Sequence, residues 1–275
     1  MKLYRFLDTP IALRDTVAAE MLQELRHYLL TGEHKDQPKE EARFVSDTIS
    51  SGRNYDVAQH IAIIPVKGVL VNGDADSWYG ETSYSSIEDD VRAALGDPDV
   101  KGIALVVGSP GGEVSGLFDF AENLTGMQGD KPIWSILDDH AYSAAYAIAA
   151  STDRILVPKT GGVGSVGVIT MHLDVSKMLD DMGLKVSIIQ YGERKSDYSM
   201  FKPLSDGAKT RLQGHVDAIG EMFVEMVGRN RNLSKARVRA TEAGLYMGAE
   251  GVEAGLADAV MSPQEAFSAL AKKVN

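Results

Sequence analysis

Apolar residues along this chain follow two rhythms. Residues 60–66, 68–71, 102–107, 133–137, 154–157, 166–170 and 185–191 are short runs rich in β-branched and aliphatic side chains, as strands covered on both faces require. Between them the spacing changes to that of amphipathic helices. One is capped by Ser85 or Ser86 and runs to about Leu95, one covers about 115–126, one opens at Ser143 in an alanine-rich run, and one covers 174–182. This alternation predicts βαβ units and an α/β fold around a largely parallel sheet, with any active site at the carboxyl ends of the strands.

From Ser205 a long helix carries Leu212, Val216, Ile219, Phe223 and Met226 as a stripe for the core or a neighbouring subunit. A second helix starts near Ser234, and the tail reads as a helix and short strand over 249–260 and a closing helix over 263–274. At the other end, Asp15 is positioned to cap a helix bearing Val17, Met21, Leu22, Leu25, Tyr28 and Leu29 until Gly32 stops it. Polar residues follow from 33 to 55. The chain thus divides into an N-terminal helical arm and polar linker (1–57), an α/β domain (58–262) and a C-terminal helix (263–275).

Composition narrows the function. With 44% hydrophobic and 24% charged residues the chain is an ordinary globular one. A net charge of -11 argues against a nucleic-acid surface, which needs cations to replace phosphate counterions. The absence of cysteine excludes disulfides, thiolate catalysis and Cys-based metal sites. No apolar run reaches the roughly 18 residues of a membrane span, and no signal pattern opens the chain, so a cytoplasmic location and no membrane anchor are expected. No cofactor or metal is called for.

Candidate chemistry gathers around Ser143. Placed at the N-cap or first turn of a buried helix, its hydroxyl would stand beside unpaired N–H groups and the positive end of the helix dipole. Residues 108–114, Gly-Ser-Pro-Gly-Gly-Glu-Val, follow a strand and read either as a tight βα turn or as half of an oxyanion hole. A serine nucleophile needs a base. His140 lies close in sequence, His172 ends the 166–170 strand, and Lys195 sits in the polar loop Gly192-Glu193-Arg194-Lys195. Residues 162–167 match the glycine spacing of a dinucleotide fingerprint, but a β-type run follows where that motif needs a helix.

Taken in order, Ser109-Pro110-Gly111-Gly112, Ser143 opening its alanine helix, Gly164-Ser165-Val166-Gly167 and Gly192-Glu193-Arg194-Lys195 resemble the signal peptide peptidase A (S49) family of serine peptidases, in particular its phage head or capsid maturation branch. The resemblance covers roughly residues 60–260. It implies a ClpP/crotonase-like fold of repeated ββα units and a Ser-Lys dyad, with Ser143 as nucleophile and Lys195 as general base. It also implies that Gly112 and Ala144 supply the oxyanion-hole N–H groups and that Ser165 orients the lysine. A homo-oligomer with the dyad shared between subunits is implied as well. One departure is Ala144-Ala145 after the nucleophile, where the family more often has glycine. The expected function is cleavage of scaffold, capsid or portal proteins in a host cytoplasm or procapsid. The alternatives are a peptidase acting on signal or cytoplasmic peptides, a silent scaffolding protein with a peptidase fold, and His172 as base in place of Lys195.

Overall fold

The structure is a computed structural model that describes residues 11–13, 53–75 and 80–275, at 11–13 the backbone alone. In chain order its strands are β1 Ile11–Leu13, β2 Asp56–Ala58, β3 Ile61–Val71, β4 Glu81–Ser83, β5 Gly102–Glu113, β6 Ile133–Tyr142, β7 Arg154–Val157, β8 Gly162–Gly164, β9 Leu245–Met247 and β10 Ala259–Val260. The helices are α1 Tyr84–Gly96, α2 Leu117–Gly126, α3 Ala144–Ala150, α4 Ser176–Asp181, α5 Asp206–Asn230, α6 Lys235–Arg239, α7 Ala249–Glu253 and α8 Pro263–Val274.

All the described strands join one sheet with the spine β10-β7-β6-β5-β3-β2. From β10 to β3 each neighbour pairs in parallel, whereas β2 pairs antiparallel with β3, β1 with β5, and β8 with β9. This is the expected α/β arrangement with a largely parallel sheet. The period-2 alternation of the strands sorts their side chains between two cores. Ile64, Ile103, Leu105, Leu137 and Ile155 pack with α1, α2, α3 and the second half of α5. Ile61, Ala104, Trp134, Ile136 and Leu156 meet Ala266, Leu270 and Ala271 of α8 on the other face. Helix α8 begins with a capping box between Ser262 and Glu265 and a proline in its first turn, so its start is written locally.

Several expectations need correction. The runs at 60–66 and 68–71 form the single strand β3, with a bulge between Lys67 and Val69 where Gly68 turns to φ +62°. Residues 108–113 are not a tight turn. β5 continues through them to Glu113, because β3 extends alongside, pairing Val69 with Gly111 and Leu70 with Gly112. The strand expected at 166–170 lies earlier, as β8; Gly164 at φ +116° and Ser165 at φ +54° lead the chain out of the ladder. Residues 185–191 form no strand. Nothing in their own sheet pairs with them, and an unpaired strand leaves its backbone unsatisfied. Leu184, Val186, Ile188, Ile189 and Tyr191 are consequently exposed, the last two almost completely.

The stripe on α5 divides along its length. Leu212, Phe223 and Met226 are buried, while Val216 and Ile219 are half-exposed. Within the region read as a helical arm, residues 11–13 are a strand rather than helix; the helical pattern from Val17 to Leu29 and the polar linker lie outside the described residues.

Candidate active site

Ser143 joins β6 to α3. Its φ of +53° and ψ of -117° are a conformation that costs a non-glycine residue on the order of 1–3 kcal/mol, so the surroundings must hold it in place. They do so by hydrogen bonding and burial. The Ser143 N–H donates to the Gly164 carbonyl at 2.9 Å, and its carbonyl accepts from the Ala147 N–H at 2.9 Å, which makes it the N-cap of α3. Every residue of α3 is buried, so side chains larger than alanine would have little room at most of its positions. The Ser143 hydroxyl donates to the Gly167 carbonyl at 3.3 Å, and the residue is 1% exposed. In the first turn of α3 the Ala144 N–H has no partner within the helix. Tyr146 anchors the same helix by donating to the Leu256 carbonyl at 3.0 Å, and burial pushes its phenol pKa well up.

The glycine strand reaches the same end of the sheet. Ser109 is fully buried and donates to the Gly68 carbonyl at 2.7 Å, while its Oγ accepts from the Gly111 N–H at 3.1 Å. A Cβ on Gly112 would lie 1.8 Å from the Leu70 carbonyl oxygen, so only glycine permits this approach of β5 to β3. The last β5–β6 pair is Ser109 with Ala141, two residues before Ser143 on β6 and two before Gly111 on β5. Ser165 follows Gly164, the acceptor of the Ser143 N–H, and its own N–H donates to the Gly244 carbonyl at 2.9 Å. Ser143 and Ala144 thus lie beside the Gly164–Ser165 step at the carboxyl end of β6, and the Gly111–Gly112 stretch of β5 runs to the same end of the sheet.

Lys195 is not part of that cluster within the chain. It is exposed, in a turn where its N–H donates to the Gly192 carbonyl. The turn itself is anchored: Arg211 of α5 binds Asp197, and Lys202 donates to Ser196 at 2.7 Å. His172 is half-buried in an irregular stretch beside Asp174, whose carboxyl is held below the usual range by Ser176 first and by His172 to a lesser degree. His140 Nδ1 lies 2.8 Å from the Asp139 carboxylate, and its ring stacks on Tyr142 at 4.7 Å. That tyrosine fills the space where a Cβ on Gly162 would sit 2.0 Å from its hydroxyl.

Sequence reasoning missed the Lys67–Asp138 ion pair beside Gly108, which joins β3 to β6 a little past the middle of each strand. Its members lie 71 residues apart, and no local pattern joins them. Among the described residues no group of carboxylates and histidines forms a metal cage, and no helix is long and apolar enough to cross a membrane.

Comparison with known proteins places this geometry in a lineage. The chain is 35% identical over 225 residues to the head-tail preconnector protein GP5 of Enterobacteria phage P21, an alignment covering 81% of this chain and 45% of that protein. It is 34% identical over 220 residues to the capsid assembly protease C of Escherichia phage lambda, covering 79% of this chain and 50% of that one. With protease 4 of Haemophilus influenzae it shares 26% identity over 224 residues, 81% of this chain and 36% of the other. The chain therefore spans about half the length of the two phage proteins or less. The profile of Peptidase family S49 matches residues 126–275, from the end of α2 through α8, and the chain belongs to that family.

Proposed function

We propose that this chain is a serine endopeptidase of phage head assembly, acting on scaffold, capsid or portal proteins. The observation that carries the reading is Ser143, held strained and buried at the head of α3. Its Oγ attacks the substrate carbonyl as a neutral lysine amine takes the hydroxyl proton. The N–H groups of Gly112 and Ala144 receive the oxyanion, and the protonated amine then gives its proton to the leaving nitrogen. Water, activated by the same amine, releases the acyl group. Ser165 orients that amine.

The amine belongs to Lys195 of a neighbouring copy. An amine in water stays protonated at neutral pH and is no base, and within one chain Lys195 is exposed. The bare apolar segment 184–191 just before it gives a neighbouring copy a surface to cover. The names of the two phage relatives support the role in head assembly.

Complementation tests this reading. Ser143→Ala and Lys195→Ala should each lower turnover of a protein substrate by about 1,000-fold or more. Mixing the two inactive variants and letting subunits exchange should restore activity, because some interfaces then pair an intact serine with an intact lysine. No recovery on mixing would sink the shared site. Loss of turnover in His172→Ala with Lys195→Ala still active would move the base to His172. A fluorophosphonate probe should label the parent and not Ser143→Ala.

A further inference from the structure

β5 has two edges. At Gly111 and Gly112 one edge is occupied by β3. The other is occupied by β6 as far as Ser109, after which β6 pairs with β8 from His140 to Tyr142 and turns at Ser143. From Gly111 onward β6 no longer covers that edge of β5. β1 lies on it, antiparallel, with Ile11 opposite Glu113, Ala12 opposite Gly112 and Leu13 opposite Gly111. Addition of an extended segment to an exposed sheet edge is a standard way for a protein to hold a peptide, with backbone bonds supplying affinity.

We infer that the Ile11–Leu13 strand is a tethered competitor of substrate: the chain's own N-terminal segment occupies the peptide-binding edge of β5, and an incoming peptide has to displace it. This rests on the reading of Ser143 as nucleophile. The position suits a substrate backbone, because β1 runs along Gly112 on the edge of β5 that β6 occupies up to Ser109, and β6 leads into Ser143 two residues after Ala141. The described part of the strand is short, which makes it displaceable. Its described register holds three residue pairs. What keeps it in place is the tether, since a segment on the same chain acts at an effective concentration of order millimolar. The same register suggests what the edge prefers: an extended peptide with a small residue opposite Gly112, as Ala12 is.

Two variants of the full assembled enzyme test the inference, Ala12→Pro, which removes the N–H opposite Gly112, and deletion of residues 1–13. Both should lower KM for a fluorogenic peptide roughly 3- to 10-fold and leave kcat within about twofold, as expected when a tethered competitor is removed. A synthetic peptide of residues 8–16 should then inhibit the deletion variant competitively, and inhibit the parent less. Unchanged KM in both variants, or a peptide that does not compete, would overturn the inference while leaving the peptidase reading intact. Absence of both turnover and fluorophosphonate labelling, in parent and variants alike, would instead sink the reading of Ser143. The strand would still be testable by fluorescence anisotropy of the labelled 8–16 peptide, which should bind the deletion variant more tightly than the parent; equal binding would overturn it.

Discussion

Gly112 and Ser143 are each held in a conformation or contact that few residue types tolerate, and the proposed reaction draws a backbone N–H from the first and a hydroxyl from the second. At Gly112 the constraint is a neighbour: the Leu70 carbonyl occupies the space a side chain would take. Gly112→Ala should therefore push β5 away from β3, at a cost on the order of 1–3 kcal/mol for overpacking. Thermal unfolding would register the loss as a lower Tm, and fluorophosphonate labelling of Ser143 should slow with it, since the displaced N–H no longer meets the oxyanion. Labelling at the parental rate would detach Gly112 from the chemistry. At Ser143 the constraint is backbone: φ +53° suits a residue whose neighbours over-determine it, here through Gly164, Ala147 and the buried alanines of α3.

On the scale of elements, the chain places an apolar run where no strand among the described residues receives it. Residues 184–191 have the composition of a buried strand, and Ile189 is 98% exposed. If a second copy covers this segment, Ile189→Asp should weaken assembly by roughly tenfold or more, because burying an unpaired carboxylate is costly. Sedimentation would show smaller species, and turnover should fall in proportion to the lost assembly. The monomeric fold should survive, since Ile189 contributes nothing to either core. A variant that assembles as the parent does would leave the segment without this role.

For the whole molecule, the acidic charge opposes the assembly that the proposed shared dyad requires. Copies carrying a net charge of -11 repel one another, and salt screens that repulsion, with a Debye length of about 8 Å at 0.15 M against 30 Å at 0.01 M. Specific activity at fixed protein concentration should rise with ionic strength over this range and fall on dilution, with light scattering tracking both. Because the attacking step needs an uncharged amine, turnover should also rise with pH through the neutral range. Activity independent of protein concentration down to the isolated chain would contradict a site completed by a neighbour.

Local patterns carried much of the fold. The apolar runs behind β3, β5, β6 and β7 and the serine-capped helices α5, α6 and α8 were legible because burial period and capping are written in adjacent residues. Ser143 at the head of an alanine helix was legible for the same reason. Tertiary structure decided what depends on partners distant in sequence. β5 runs on through Gly111 and Gly112 because β3 is there to pair with them, residues 185–191 are left without a partner strand, and Lys67 meets Asp138 across the sheet. The sequence alone determined which residues could bury themselves and where helices start. Only the packed chain decided where β6 leaves the edge of β5 and that Ile11–Leu13 lies on it there, because pairing along an edge is a property of two strands and is encoded in neither one.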